Sequence, residues 1–311
     1  MKRTIITLIS TLLLYSVYLP AQESQVKKKD KDQKTNPRIN EPKPKENKVI
    51  RWNFGINVGA YHANNYMANY YNGNPQNIDN VQYVMSNPYW YQDIKNALGS
   101  RDTVVVDQYP TTMHYNITMM AGFMLRYNIN KKWGVCLDVN YTQLKADAAV
   151  TFTVDPTPYL SFQDIRLIPI RGVEKRVHID LLLQRNFPLR SKIYFFVQGG
   201  VNINYTEVTK SSIFIESQEY SMINNYGSQS YVPGSNQQQF QVTQGGFGLG
   251  GALHGGIGIP LAGIFGVEPG GFINYNNVNL TGYPAYKISY GFYLRLLFGN
   301  ILPRPDPDES N

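Results

Sequence analysis

The sequence predicts an all-β fold: an eight-stranded antiparallel up-and-down transmembrane β-barrel with long external loops. Three observations predict it. Eight stretches alternate apolar and polar residues, the period of a strand with one greasy and one polar face. Their apolar faces begin and end in aromatic residues, about one tilted bilayer crossing apart. The connections alternate short and long, which sorts a barrel into a turn end and a loop end. The last stretch is the clearest. Ile288, Tyr290, Phe292, Leu294, Leu296 and Phe298 share one face, and Ser289, Gly291, Tyr293 and Arg295 share the other.

Residues 1–21 read as a secretory signal peptide. Lys2 and Arg3 open it, an apolar run follows from Thr4 to Leu19, and Leu19-Pro20-Ala21 offers cleavage before Gln22. Residues 22–49 read as a disordered, basic periplasmic tether. Residues 22–51 hold ten Lys/Arg and five Asp/Glu with few apolar residues, too few to build a core. Much of the chain's net charge of +7 therefore sits in a solvated segment, which argues against a nucleic-acid groove. No later run of 18 apolar residues exists, so no helical span is expected.

The barrel is placed at 50–300. Its strands are expected at 50–62, 113–129, 132–154, 165–186, 192–215, 239–260, 264–281 and 286–299. Asn130-Lys131, Phe187 to Ser191 and Leu261 to Gly263 form the short turns, and residues 64–112 and 217–238 the longer loops. Residues 301–311 form a Pro-rich, acidic periplasmic tail. The single Cys136 falls on the inward parity and reads as a small core filler.

Two aromatic rows follow on the outward parity. Trp52, Tyr127, Trp133, Phe195, Phe265 and Phe298 make the lower one. Tyr115, Tyr141, Tyr205, Phe247, Tyr275 and Tyr290 make the upper one. Aromatic rings favour the headgroup level, so the rows read as two girdles around a lipid-facing belt. The inward parity carries Arg126, Asp138, Arg176, His178, Asp180, Glu268 and Arg295. Eight strands enclose a space that side chains fill, so these residues are expected to plug it as paired charges. Glu268 should lie level with Arg295, and Arg126 diagonal to Asp138.

Other motifs weigh little. Gly246 to Gly251 fits a G-x-G-x-x-G string, but it lies within a strand and does not open a helix. Its glycines read as gaps for bulky lumenal groups. No nucleophile elbow and no metal-binding spacing accompanies His62, His114, His178 and His254, so no enzyme, cofactor or metal is expected. The loop 64–112 is rich in Asn and Tyr, which suits either a binding surface or an ordered lid.

Ser289-Tyr-Gly291-Phe-Tyr-Leu294-Arg-Leu296 resembles the β-signal that the barrel-assembly machinery reads on a final strand. Ser289, Gly291, Leu294 and Leu296 match its fixed positions. The barrel region is similar to the small PorT-like outer-membrane barrels of Bacteroidota. The Pro-Ala-Gln end of the signal peptide, the Tyr/Asn-rich strands, Asp164-Ile-Arg-Leu-Ile-Pro-Ile170 and Phe196-Val-Gln-Gly-Gly-Val201 carry the likeness. That resemblance implies a non-enzymatic outer-membrane protein serving type IX secretion or surface assembly. Asp102-Thr103-Val104 also resembles an O-glycosylation signal of that phylum, with Thr103 as acceptor. The expected partners are the lipid bilayer, the assembly machinery, and a protein or glycan at the external loops, with no nucleic acid. A narrow transport pore is the alternative function, and a rim-site lipid or peptide hydrolase a third.

Overall fold

The structure is a computed structural model that describes residues 52–155, 164–190, 193–226, 229–230, 244–261 and 265–299. The expected signal peptide, tether and tail lie outside the described residues. Eight strands close into a ring. They are β1 (Trp52–His62), β4 (Thr118–Asn128), β5 (Trp133–Val154), β6 (Asp164–Arg190), β7 (Ile193–Ile215), β11 (Gly245–Pro260), β12 (Phe265–Asn277) and β13 (Tyr286–Phe298). Each pairs antiparallel with the next, β7 passes to β11, and β13 returns to β1. Closure leaves the ring no free edge, so its backbone groups are satisfied without water.

The alternation carries through to burial. On β13, Ile288, Tyr290, Phe292, Leu294 and Leu296 are exposed, while Ser289, Tyr293, Arg295 and Leu297 are buried. Phe54, Ile56, Val58, Leu125, Leu181, Val201, Leu253 and Ile257 continue the outward apolar belt around the ring. An apolar surface of this extent needs lipid as its solvent. The turn after β4 is fixed locally. The Asn130 side chain accepts from the amides of Lys132 and Trp133, both at 2.8 Å, as Asn does in tight turns.

The elements depart from expectation in three places. The stretch expected at 113–129 is broken into β3 (His114–Tyr115) and β4 by Asn116 and Ile117. Tyr115 pairs with Ala146 and Met120 with Thr142, so this strand has one residue more than its partner between the two pairs. A one-residue insertion turns every later side chain to the opposite face. Tyr115 therefore points inward and is buried, which removes it from the upper aromatic row. Second, β6 continues to Arg190 and β7 begins at Ile193, so the residues expected to turn, 187–190, are still strand. Third, β12 stops at Asn277 rather than 281.

The loop 64–112 is folded. It holds α1 (Asn65–Ala68), a 3₁₀ turn (Asn69–Tyr71), α2 (Val81–Ser86), α3 (Pro88–Leu98) and β2 (Val104–Gln108). Its asparagines explain the helix starts. Asn64 accepts from Tyr66 N, Asn80 from Tyr83 N, and Asn87 from Tyr89 N and Trp90 N. Gly99 ends α3 with φ 69°, a left-handed cap that glycine adopts freely.

Above the ring, β5, β6 and β7 run on as a wall. β2 joins the edge of β5, and β8 (Gln218–Ser221) joins the edge of β7. A small ladder of β9 (Asn225–Tyr226) and β10 (Gln229–Ser230) follows. The helices lie on the wall as a lid. Val81, Val84, Ile94 and Leu98 share one apolar cluster with Phe152, Ile168, Ile170 and Ile213.

Candidate functional site

The chemistry-bearing side chains stand in three tiers inside the ring. Strand alternation aims them inward, and small residues opposite make room for them. A Cβ added at Gly258 would lie 2.1 Å from the Tyr194 ring, and one at Gly291 would lie 2.6 Å from Phe272. Gly256 and Gly258 on β11 and Gly291 on β13 thus serve as gaps for aromatic fillers.

The lowest tier is a salt-bridge cluster drawn from four strands. Arg126 on β4 donates through Nη2 to both Glu268 oxygens at 2.8 and 2.7 Å. Arg295 on β13 reaches Glu268 Oε2 at 3.0 Å, Asp138 Oδ2 at 2.7 Å and Asn57 Oδ1 at 2.8 Å. The Tyr194 hydroxyl donates to Glu268 Oε1 at 2.6 Å. Glu268 and Arg295 are register partners. The diagonal neighbours Arg126 and Asp138 take different partners: Arg126 crosses to β12 and Asp138 to β13. The reason is reach. A long arginine inside a narrow ring meets carboxylates across the lumen as readily as those beside it.

The middle tier is mostly neutral. Asn57 Nδ2 donates to Asp138 Oδ1 at 3.2 Å and Asn140 Oδ1 at 3.0 Å. Asn202 bridges Asp180 and Asn276, and His178 and His254 are buried beside them. Below this tier, level with its register partner Arg126, Cys136 donates to Gln184 Oε1 at 3.1 Å and packs with Leu182 and Ala252 as a small filler.

The upper tier joins the lumen to the lid. Arg176 Nε donates to Glu174 Oε1, its same-face neighbour two residues back on β6. Tyr71, from the lid, donates to Glu174 Oε2 at 2.6 Å, and Tyr115 donates to the same oxygen at 3.0 Å. Tyr71 enters where the wall lacks a side chain. A Cβ at Gly172 would lie 2.1 Å from its ring. Burial, then the Glu174 charge, pushes the Tyr71 hydroxyl well above its ordinary pKa, so it remains a donor. A second contact holds the lid. Gln244 donates to Asp79 Oδ1 at 2.7 Å and accepts from Tyr70 Oη at 2.8 Å. Burial raises the Asp79 carboxyl from 3.8 to about 7, with the Gln244 bond opposing.

All seven lumenal residues read from the sequence are buried inside the ring. Glu174 was missed, although it shares the inward parity of Arg176. Of the aromatic residues, Trp52, Phe195, Phe265, Tyr141, Phe247, Tyr275 and Tyr290 are exposed outward. Tyr127, Trp133, Phe298 and Tyr205 are partly covered by outward neighbours, as where Trp52 meets Tyr127 at 4.9 Å and Tyr205 meets Phe247 at 5.0 Å. In the β-signal-like stretch, Leu294 and Leu296 face out, and Ser289 and Gly291 face in. Thr103 is exposed on the lid, where Asp155 holds the preceding turn by accepting from Ser100 Oγ, Arg101 N and Asp102 N. At the rim, His62 stacks on Tyr290 at 4.9 Å, and His114 is exposed.

No family model and no curated protein matches the sequence. Among solved structures, the chain is similar to Neisserial surface protein A, with TM-score 0.36 and 9% identity, covering 80% of this chain and 96% of that one. It is similar to the outer membrane protein OprG from Pseudomonas aeruginosa, with TM-score 0.34 and 13% identity over 80% and 94%. It is also similar to Ail, the attachment invasion locus protein of Yersinia pestis, solved with the heparin analogue sucrose octasulfate. There the TM-score is 0.32 and the identity 10% over 80% and 99%. The fold stands on the closed ladder itself. No helix among the described residues is long and apolar enough to cross a membrane, and the crossing elements are strands. The chain is an eight-stranded β-barrel of the outer-membrane type, and the outer membrane of a Gram-negative cell is where such a barrel sits.

Proposed function

We propose that this barrel is a non-enzymatic surface component, a plugged ring that presents a rigid lid and wall to a protein or glycan partner. One observation carries the reading. The lumen is filled by crossed arginine–carboxylate pairs and stoppered by Tyr71, while the lid that supplies the stopper keeps aromatic side chains on its outer face. Tyr89 is 73% exposed and Tyr66 39%. Tyr gives a large amphipathic contact at low entropic cost, which suits recognition. The external position of this end follows from the alternation of loop lengths. The assignment to the PorT-like group, with an accessory role in type IX secretion, rests on sequence likeness alone: the Pro-Ala-Gln end of the signal peptide, the Tyr/Asn-rich strands and the 164–170 and 196–201 motifs.

The test has two arms. In planar bilayers the purified barrel is expected to pass no unitary current. An epitope inserted near Asn74 is expected to bind antibody on intact cells. A steady open conductance would favour the pore, and an epitope hidden until the outer membrane is opened would invert the topology.

The β-signal role is part of the same proposal. Leu294→Ala combined with Leu296→Ala keeps the lipid face apolar while removing both large apolar positions of the signal. That variant should be depleted from the outer membrane yet still refold from urea into detergent. Wild-type levels in cells would mean the stretch is only a lipid-facing strand.

A further inference from the structure

One charge stands on the lipid-facing belt. Among the described residues of the ring strands, those of outward parity between the lower and upper aromatic rows are uncharged except Arg185 on β6. Arg185 is exposed, and its register partner is Trp133 of the lower row. A guanidinium on the lipid face is costly at the bilayer middle and nearly free of cost at the interface, so its level matters. Aromatic rings favour the headgroup level, and Arg185 lies at that level on the short-turn end.

The guanidinium is held in place but not satisfied. Its central carbon lies 5.1 Å from the ring centre of Trp133 and 5.2 Å from that of Phe187. Two such rings attract the cation and restrict its side chain. They accept none of its N–H donors in the plane of the fork, and among the described residues no hydrogen bond or ion pair takes them up. Lys132 stands beside it. The Asn186 amide donates to the Lys132 carbonyl at 2.8 Å, which brings this exposed lysine next to the residue that follows Arg185. The turn that carries it, 129–132, contains no acid. An arginine fork takes two oxygens of one phosphate side by side, and a lysine adds a point charge. A zwitterionic headgroup brings its own cation toward this pair and an anionic one does not, so charge complementarity selects the anionic lipid. Deeper on the same face of β6, Leu183 and Leu181 are exposed, an apolar track for acyl chains. We propose that Arg185, clamped between Trp133 and Phe187 and flanked by Lys132, binds the phosphate of an anionic phospholipid in the leaflet at the short-turn end.

The experiment uses the full-length barrel in non-ionic micelles doped with equal amounts of phosphatidylglycerol and phosphatidylcholine, released intact in a native mass spectrometer. Phosphatidylglycerol is expected to exceed phosphatidylcholine about tenfold in the retained lipid, the ratio that a charge-assisted hydrogen bond supports. Arg185→Gln should bring the two lipids to parity. Added inorganic phosphate should leave the wild-type ratio unchanged, because the acyl chains hold the lipid on the belt. In a parallel measurement on the wild type, phosphatidylglycerol but not phosphatidylcholine should protect Arg185 from phenylglyoxal, read at that residue by peptide mass spectrometry. That arm decides the matter should Arg185→Gln fail to fold. Equal retention by the wild type, a preference that survives in Arg185→Gln, or an Arg185 that phosphatidylglycerol leaves reactive would each overturn the proposal. Displacement by inorganic phosphate would make this a free-anion site, and a lipid-free dimer would make it a contact between two copies; either result overturns it as well.

Discussion

The lower and upper halves of β5 obey opposite rules although the strand runs unbroken. Below Thr142, the outward residues are Trp133, Val135, Leu137, Val139 and Tyr141, and the inward ones include Asp138 and Asn140. Above it, Gln143, Lys145 and Asp147 face out, while Leu144, Ala146, Val150 and Phe152 are buried inward. Polarity is inverted within two residues of Tyr141, with no change in backbone. On β7 the apolar side also turns inward, but with a one-residue register shift against β6 between Val208 and Lys210: Val201, Ile203 and Tyr205 face out below it, Val208 is buried, and Ile213 and Ile215, of the same parity as the outward residues, are buried above it. The lesson is that solvent, not secondary structure, decides which face is greasy. The lower half meets lipid and packs polar groups inside, and the upper half meets water and packs an ordinary core against the lid.

The largest expected effect breaks the lower half. Glu268→Ala leaves Arg126 and Arg295 short of the carboxylate they share, and it should cost about 3–5 kcal/mol, the range for opening a buried pair. Urea midpoints of barrel folding in micelles measure it. A cost below about 1 kcal/mol would mean that lumenal water already solvates both guanidinium groups.

A smaller effect tests the boundary directly. Leu137→Lys and Gln143→Lys place the same side chain on the same outward face of one strand, on either side of Tyr141. The first should cost about 2–4 kcal/mol in bilayers, and the second should stay within about 0.5 kcal/mol. Equal costs would move the lipid level away from Tyr141.

The smallest effect on the barrel concerns the lid. The folded-state pKa of Asp79 is raised, from 3.8 to about 7, so ionisation opposes the closed lid. The closed lid binds the extra proton, so its stability is full below about pH 4 and falls as pH rises through about 7. Limited proteolysis of the 64–112 segment should accelerate from pH 5 to pH 8, by no more than about tenfold per pH unit. Asp79→Asn should flatten that profile. A profile that rises equally in the variant would place the titration elsewhere.

The lower half was legible in the sequence because one rule governs it. Period-two alternation with an aromatic at each end identifies a lipid-facing strand, and Arg126, Asp138 and Arg295 follow by parity. One thing was not legible. The Asn116–Ile117 insertion that turns Tyr115 inward contains no Gly or Pro to announce it, and register appears only when β5 is laid beside it. The lid was half legible. Its Asn and Tyr richness suggested either recognition or order, and only the structure shows Asn64, Asn80 and Asn87 as helix caps. Glu174 is different again. Its parity was visible, but its role depends on Tyr71, which arrives from about a hundred residues away in sequence.

The wall also has a mechanical meaning. Residues 143–154 of β5 stand beyond the ring, about 40 Å of strand, more than the thickness of a bilayer's hydrocarbon core. The paired residues of β6 run alongside without a hinge. A pull on the lid is therefore not borne by a slack linker. It loads the ladders lengthwise, many backbone hydrogen bonds in parallel, and passes straight into the staves held by lipid. Anything gripping this end of the molecule grips a stiff mast, and the anchor would yield in shear across the whole ladder rather than unzip bond by bond.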